Sequence, residues 1–319
     1  MQTAADQVSL VLTLLCHGCP VPAIVAAFGY DERTVAHWLG QAGAHGQRGH
    51  QHLVQRGPVD RQQVQADELW VKRVGRRVWL ALAWAAPTRL WLGGVISPQR
   101  DQALITVLVQ QVRAGARRLD LLVCVDGLSS YLTAFRRGFR DPGYTGRRGR
   151  PRLVLAAGFL LGQGVKQYAR RRVVSVQQRV VEGTAAAIAA VRAATRTGTG
   201  IPTASIERFN ATRRSGLVPL VRRGRALAHQ VETLTAGMYL VGGAYNFCWV
   251  ADSLRRAAPT GVGRKWQERT PAMAAGLTEH CWSLRELLEY QVPLPAWEAP
   301  KRRRRPRPQE RPAPLASAA

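Results

Sequence analysis

The chain is short of acidic residues, of cysteine and of long apolar runs, and each shortage excludes a class of protein. Only 20 of its 319 residues are aspartate or glutamate, against 46 lysines and arginines. The five cysteines are odd in number and too few for a disulfide framework, which favours a reducing compartment. The apolar stretch 78–96 is interrupted by Pro87 and Arg89, and the first residues lack the pattern of a secretory signal. We therefore expect a cytoplasmic protein that does not bind membranes.

The excess of positive charge, a formal net charge of +26, predicts a polyanionic partner. The charge is spread along the chain rather than carried by one amphipathic helix, which favours nucleic acid and a location at the nucleoid. A basic protein that is merely soluble, or a ribosomal protein, is the alternative. Seven arginines cluster between residues 136 and 152, and two of them, Arg147 and Arg148, are candidate DNA contacts.

The first 45 residues read as three short helices. An apolar-periodic stretch ends before Cys19-Pro20, a second helix follows Pro22, and Asp31 caps a third after the turn at Gly29-Tyr30. This spacing matches a helix-turn-helix, so we predict a small all-α DNA-binding domain over residues 1–45. A plain helical hairpin packed on the main domain is the alternative. The residues predicted to face the major groove are Arg33, Thr34, His37 and Gln41.

The main domain is predicted to begin with a sheet. Residues 46–63 are rich in glycine, histidine and glutamine and are interpreted as a linker to a domain over 64–255. Strand patterns at 64–73, 77–86 and 89–97 lie close enough in sequence to form an antiparallel meander.

A helix and a buried strand follow this meander. Asp101 is predicted to cap a helix that runs to Ala114, and the unbroken apolar run 121–125 is typical of a strand buried on both faces. This order indicates an α/β fold, a mixed sheet with flanking helices. The remaining segments are predicted to be an insertion around 136–183, an alanine-rich helix at 184–195, a C-terminal helical region at 256–299 and a basic disordered tail at 300–319.

Three acidic residues stand in unusual settings. Asp126 ends the buried apolar run, Asp67 lies in the first predicted strand, and Glu207 lies in a basic helical stretch. An ionised carboxylate at the end of a buried strand is costly unless a metal ion or hydrogen bonds compensate it. Isolated carboxylates in so basic a chain suggest divalent metal beside nucleic acid. The alternative for Asp126 is a turn residue that caps the helix beginning near Ser129.

Carboxylates that converge from separate elements can hold two ions, Mg²⁺ or Mn²⁺, for phosphoryl transfer. Asp67 is preferred to Glu68 because adjacent strand residues face opposite sides, so that only one of them could join Asp126. Asp67 would share a face of the sheet with Leu69 and Val71.

The third carboxylate is assigned to Glu207. It shares one helix face with Asn210 and Arg214, at spacings of three and seven residues. Glu182 and Glu232 are the alternatives.

A zinc site is not favoured. Cys16 and Cys19 could bind zinc with His45, His50 or His52, but the spacing is longer than in the usual finger. Both cysteines also lie where the helix-turn-helix needs a break.

With these motifs, the stretch from about residue 64 to 250 resembles the DDE transposases, most closely the compact insertion-sequence-one type. The matching motifs are Asp67-Glu68-Leu69-Trp70, Val125-Asp126-Gly127 and Ile206-Glu207-Arg208-Phe209-Asn210 with Arg214, and the segment Tyr245-Asn246-Phe247 is similar to the end of that family's catalytic domain. The N-terminal helix-turn-helix fits the usual layout. The chain departs from the family in having a single cysteine pair, where two often form a zinc finger, and in the 81 residues that separate Asp126 from Glu207.

The resemblance implies an RNase H-like fold with Asp67, Asp126 and Glu207 as the ligands of two metal ions. Asn210 and Arg214 would support the site or contact a phosphate. The enzyme would hydrolyse a phosphodiester at the end of an element, expose a 3′-hydroxyl and direct it onto target DNA. Its partner would be double-stranded DNA, and joining two ends implies a homodimer or a larger assembly.

Two other functions compete with transposition. A different RNase H-like nuclease, such as a junction resolvase, would read the shape of DNA and would not need a helix-turn-helix. A non-catalytic DNA-binding regulator would not need isolated carboxylates, which weaken binding beside phosphates unless metal bridges them.

Overall fold

A six-stranded mixed sheet is the frame of the protein. We describe it in a computed structural model, over residues 3–57, 59–73, 76–144, 149–170, 172–197, 230–258, 263 and 265–294. In spatial order the strands are β3 (Trp91–Ser97), β2 (Arg76–Ala85), β1 (Gln63–Arg73), β4 (Leu122–Val125), β7 (Leu160–Ala169) and β8 (Arg172–Glu182). The first three are antiparallel neighbours, β4 is parallel to β1 and to β7, and β8 returns antiparallel to β7.

The predicted meander and the predicted buried strand are both confirmed. Successive residues of β1 pack on opposite faces, with Val64 and Ala66 in one core and Leu69 and Val71 in the other. Every residue of β4 is buried, because this strand lies between β1 and β7 and is covered on both faces.

Helices cover both faces of the sheet, so the α/β expectation is confirmed. One face is covered by α4 (Gln102–Ala114) and α5 (Ser129–Gly138), and the Asp101 side chain caps α4 by accepting from the Leu104 N–H. On the other face, α1 (Ala5–Cys16) and α7 (Val231–Phe247) pack over β1–β3, and α6 (Ala185–Thr195) packs over β4. None of the helices in the described part of the chain is both long and apolar enough to cross a bilayer.

The N-terminal helices form where the sequence predicts them, but the third is longer than expected. After α1 come α2 (Val21–Phe28) and α3 (Glu32–His50), and a π-helical turn then continues α3 through Gln51–Gln55. The predicted linker over 46–63 is therefore wrong for its first ten residues.

The glycines of this segment explain the error. A Cβ on Gly43 would lie 2.3 Å from the Ala236 Cα, and a Cβ on Gly46 would lie 3.3 Å from the Tyr239 carbonyl oxygen. Both contacts are with α7. The glycines therefore let two helices approach closely instead of marking a loop.

The predicted insertion around 136–183 is wrong for its second half. Residues Leu160–Gln163 pair in parallel with Leu122–Val125, so β7 belongs to the main sheet. Gly162 and Gly164 interrupt its apolar pattern, which hid the strand from sequence analysis. The first half of the segment does contain a separate hairpin, β5 (Arg140–Gly143) with β6 (Arg152–Leu155).

The C-terminal region is less helical than predicted. Within its described residues it has a small hairpin, β9 (Arg256–Ala257) with β10 (Trp266–Gln267), and two short helices, α8 (Pro271–Ala274) and α9 (Leu284–Glu289). Ala272 of α8 and Leu287 of α9 pack on the core that α4 and α5 form with the sheet. Apolar contacts therefore hold these two short helices in place. The basic tail over 300–319 lies outside the described residues.

Candidate metal centre

Two of the predicted acids lie at the point where β4 ends beside β1. The parallel pairing of these strands stops at Ala66 and Val125, and the next residues are Asp67 and Asp126. Because the strands are parallel, both acids emerge at the same edge of the sheet. The apolar residues that bury β4 therefore fix the position of Asp126 as well.

The carboxylates of Asp67, Glu68 and Asp126 form one cluster. Each offers an oxygen, and these oxygens lie within 4.8 Å of one another. One oxygen of Asp67 accepts from the Glu68 N–H at 2.9 Å, and one oxygen of Asp126 accepts from the Leu128 N–H at 3.0 Å. Asp126 thus makes a turn hydrogen bond but does not cap α5, whose preceding residue is Leu128.

The expectation that only one of Asp67 and Glu68 could join Asp126 is wrong, because both carboxylates lie in the cluster. Strand alternation places Asp67 on the face of Leu69 and Val71. Within the described residues, however, the pairing of β1 with β4 stops at Ala66, and beyond that point the carboxylates of both Asp67 and Glu68 lie close to Asp126.

The Glu68 side chain is shielded from solvent. Its side chain is 2% exposed, one of its oxygens pairs with Arg100, and the buried Tyr131 hydroxyl lies beside the carboxylate as a hydrogen-bond donor. Burial raises the pKa of Glu68 and the charge of Asp126 raises it further, while Arg100 opposes both effects. Burial also raises the pKa of the Tyr131 hydroxyl, and the charge of Glu68 adds to that rise.

Two cations border the cluster. The acids line a cleft of about 590 Å³ together with Trp79, Arg100, Ser129 and Lys166. The Arg100 guanidinium lies 4.0 Å from the nearer Asp126 oxygen and 5.0 Å from the centre of the Trp79 ring. Carboxylates and basic side chains therefore line the same cleft. This arrangement suits a phosphate group that contacts the basic side chains directly and the carboxylates through a metal ion.

The donor set fits a divalent cation. Mg²⁺ and Mn²⁺ prefer oxygen ligands, and all three side chains supply carboxylate oxygens. Their oxygens lie within 4.8 Å of one another, close enough for one ion to contact all three side chains. Asp67, Glu68 and Asp126 could therefore hold such an ion.

The other predicted site residues do not join this cluster within the described part of the chain. Glu182 pairs with Arg136 at the far edge of the sheet, and Glu232 lies in the first turn of α7. The remaining predicted residues lie outside the described residues: Glu207, Asn210, Arg214, Arg147 and Arg148.

The predicted groove-reading residues lie on α3. Arg33, His37 and Gln41 are exposed and follow one another at four-residue spacing, which places them on one side of the helix, and Thr34 is half-buried. Arg33 and His37 also border a cleft between α3 and the start of α7. Among the described histidines and cysteines, none forms a metal-binding group with Cys16 or Cys19.

Sequence reasoning missed Arg100, Tyr131 and Lys166. Tyr131 is fully buried in α5 and contributes to the electrostatics of Glu68, although its sequence setting is that of an ordinary core aromatic. Lys166 faces the cleft only because β7 pairs with β4, and no local pattern predicts that pairing.

Comparison of the sequence with models of protein families and with curated proteins found no match to either.

Proposed function

We propose that this protein is a metal-dependent DDE transposase with an RNase H-like catalytic domain, which cleaves DNA at the ends of an element and transfers them to target DNA. The observation that carries the proposal is the cluster of Asp67 and Asp126 oxygens, within 4.8 Å, at the point where β4 ends beside the parallel strand β1. This is the juxtaposition that the resemblance requires of a first and a fourth strand. The meander of β1–β3 with β4 beside β1 also supports it.

Each residue has a role in this proposal. Asp67 and Asp126 would hold the divalent ions, Glu68 would complete their oxygen donors from the buried side, and Glu207 remains the proposed third acid of the DDE set. Ions bound there would activate the attacking oxygen and stabilise the leaving oxygen of the phosphodiester. Arg100 and Lys166 lie in position to contact the phosphate that brings negative charge into the cleft.

The charge of the chain supports a nucleic-acid substrate. A net charge of +26 attracts DNA, yet the cleft concentrates carboxylates, which repel phosphates unless a cation lies between them. Metal-dependent chemistry on DNA accounts for both features. Joining two DNA ends needs at least two active sites, so we propose that the protein acts on DNA as a homodimer or a larger assembly.

A non-catalytic DNA-binding protein is the second candidate. The observation that favours it is the ion pair between Arg100 and Glu68, which partly neutralises the cluster without metal. In that case the exposed face of α3 would carry the function, and the carboxylates would serve only the packing of the sheet edge.

The test is cleavage of a labelled duplex that contains the DNA flanking the gene, with and without Mg²⁺ or Mn²⁺. Wild-type protein should cut at one defined position only with metal, and Asp126→Asn should not cut. Asp60→Asn is the matched control, because Asp60 is exposed and outside the cleft. If wild-type and Asp126→Asn bind the duplex equally and neither cuts it, the catalytic proposal is wrong and the second candidate replaces it.

A further inference from the structure

Strands β7 and β8 continue beyond the sheet as a two-stranded ribbon. β7 pairs with β4 only through Leu160–Gln163, whereas its pairing with β8 continues to Ala169 and Arg172. We call residues 164–170 and 172–179 the ribbon. At about 3.4 Å per residue, Ala169 lies about 20 Å past Gln163, the last residue of β7 that pairs with β4.

The surface of the ribbon is basic and open. The sequence has no acidic residue between Asp141 and Glu182. All β8 residues from Arg172 to Val180 are exposed, and they include Val174, which is 61% exposed. The described basic residues of the ribbon are Lys166, Arg170, Arg172 and Arg179.

Such a ribbon needs a partner of its own. A two-stranded hairpin without further support is marginally stable in water. In the described part of the chain, the distal half of this ribbon packs on no hydrophobic core cluster. Its exposed valines would gain from burial, and its arginines attract a negatively charged partner.

The ribbon begins at the carboxylate cleft. Gly164, Val165 and Lys166 line that cleft and are also the first residues of the ribbon on β7. A linear polyanion with one phosphodiester at Asp67 and Asp126 would therefore pass along the ribbon. The basic arm therefore begins beside the acidic centre, on strand β7, which lines the same cleft.

We propose that the ribbon is a DNA-binding arm, which lies in the major groove of the duplex whose backbone enters the carboxylate cleft. The major groove of B-form DNA admits a two-stranded ribbon. The arginines would contact phosphates and base edges, and the exposed valines would contact thymine methyl groups. The position relative to the cleft rests on the proposed function, whereas DNA binding by the ribbon does not.

Charge argues against a second copy of this chain as the occupant. Edge-to-edge pairing of two β8 strands would bring Arg172 and Arg179 of both copies together in a segment without acidic residues. Like charges that face one another across strands are destabilising. DNA removes this repulsion.

The test measures equilibrium binding of a short labelled DNA duplex in EDTA, so that no cleavage occurs. The variant carries Arg170→Gln, Arg172→Gln and Arg179→Gln. The control carries Arg117→Gln, Arg255→Gln and Arg256→Gln, which removes the same charge from exposed positions outside the ribbon. Affinity is measured at several salt concentrations, and thermal unfolding verifies that both proteins fold.

The ribbon variant should bind DNA at least about 10-fold more weakly than the control variant. The slope of log affinity against log salt should fall by about 0.9 for each lost phosphate contact. Replacement of the same three residues by lysine should keep the slope, because the charges remain.

Three results would overturn the proposal. The first is equal DNA binding by the ribbon variant and the control. The second is unchanged DNA affinity with a loss of self-association, which would assign the ribbon to a second copy. The third is equal binding to an RNA duplex of the same sequence, whose deep and narrow major groove does not admit a ribbon.

Failure of this proposal is distinguishable from failure of the proposed function. Metal-dependent cleavage together with unchanged binding by the ribbon variant would reject the ribbon alone. Weakened binding by the ribbon variant in a wild-type protein that never cuts would reject catalysis alone.

Discussion

Strand β7 belongs to two regions of opposite character. Its first four residues, Leu160–Gln163, are buried between β4 and β8, beside the strand that ends in Asp126. Its later residues pair only with β8: Gly164, Val165 and Lys166 still line the carboxylate cleft, and exposure begins at Gln167. The first half belongs to the frame that positions carboxylates, and the second half leads into the exposed ribbon, whose arginines lie beyond β7 at Arg170, Arg172 and Arg179.

The difference teaches how one sheet can serve both chemistry and binding. Groups that must be held close together need packed strands, because side chains are precise only where packing restricts them. Groups that contact a long polyanion must extend along it and can be mobile, because phosphate contacts do not require one fixed geometry. Predictions about activity and stability should therefore differ sharply between the two halves.

The largest expected effect is on catalysis by the carboxylate cluster. Asp67→Asn should lower metal-dependent cleavage at least about 1,000-fold, because it removes a charged ligand of the ions. Glu68→Gln should cost less, about 10- to 100-fold, because the Glu68 side chain is buried and its charge is already paired with Arg100. Calorimetric titration with Mn²⁺ in the absence of DNA should show the same order of loss.

The same cleft variants should differ from the ribbon variant in their effect on DNA affinity. In EDTA, Asp67→Asn should bind DNA as tightly as wild type or more tightly, since an acid beside phosphates weakens binding. Equal losses of cleavage and of Mn²⁺ affinity in Asp67→Asn and Glu68→Gln would contradict the preference for Asp67 and make Glu68 a full ligand.

The second effect is on stability. Leu161→Ala should lower the free energy of unfolding by about 2–5 kcal/mol, because Leu161 is fully buried in the core shared with α4 and α5. Val174→Ala, at an exposed position of the ribbon, should change it by less than about 0.5 kcal/mol. Urea unfolding of both variants measures the difference. A large loss for Val174→Ala would mean that the ribbon is packed in solution.

The sequence predicts an element correctly where the whole pattern that identifies the element lies within its own residues. The three strand patterns of the meander follow one another closely in sequence, the strand that ends at Asp126 is apolar without a break, and α4 and α6 begin at the capping residues Asp101 and Thr184. Each of these signals lies within a few residues. The position of Asp126 followed from the same local pattern.

What sequence could not predict depends on neighbours that are distant in the chain. Glu68 reaches Asp126 because β4 stops short of it, and strand alternation alone does not contain that information. Lys166 and the membership of β7 in the sheet depend on pairing across about forty residues, with glycines breaking the apolar pattern. The extension of α3 was missed because glycine favours loops unless another helix lies against it.

The smallest effect tests whether α3 belongs to the rigid frame. Gly43→Ala should destabilise the protein by about 1–3 kcal/mol, since the new Cβ would lie 2.3 Å from the Ala236 Cα and would force α3 and α7 apart. Gly49→Ala is the matched control in the same helix. No atom lies within 4 Å of its new Cβ, so it should stabilise the protein by up to about 1 kcal/mol through helix propensity.

Urea unfolding of the two variants should therefore give changes of opposite sign. That result would make the N-terminal helices part of the packed frame, in contrast to the ribbon, whose substitutions should leave stability unchanged. Stabilisation by both substitutions would show that α3 does not approach α7 closely. The glycine-rich segment would then behave as the flexible linker that its composition suggested, and the predicted helix-turn-helix would move independently of the carboxylate cleft.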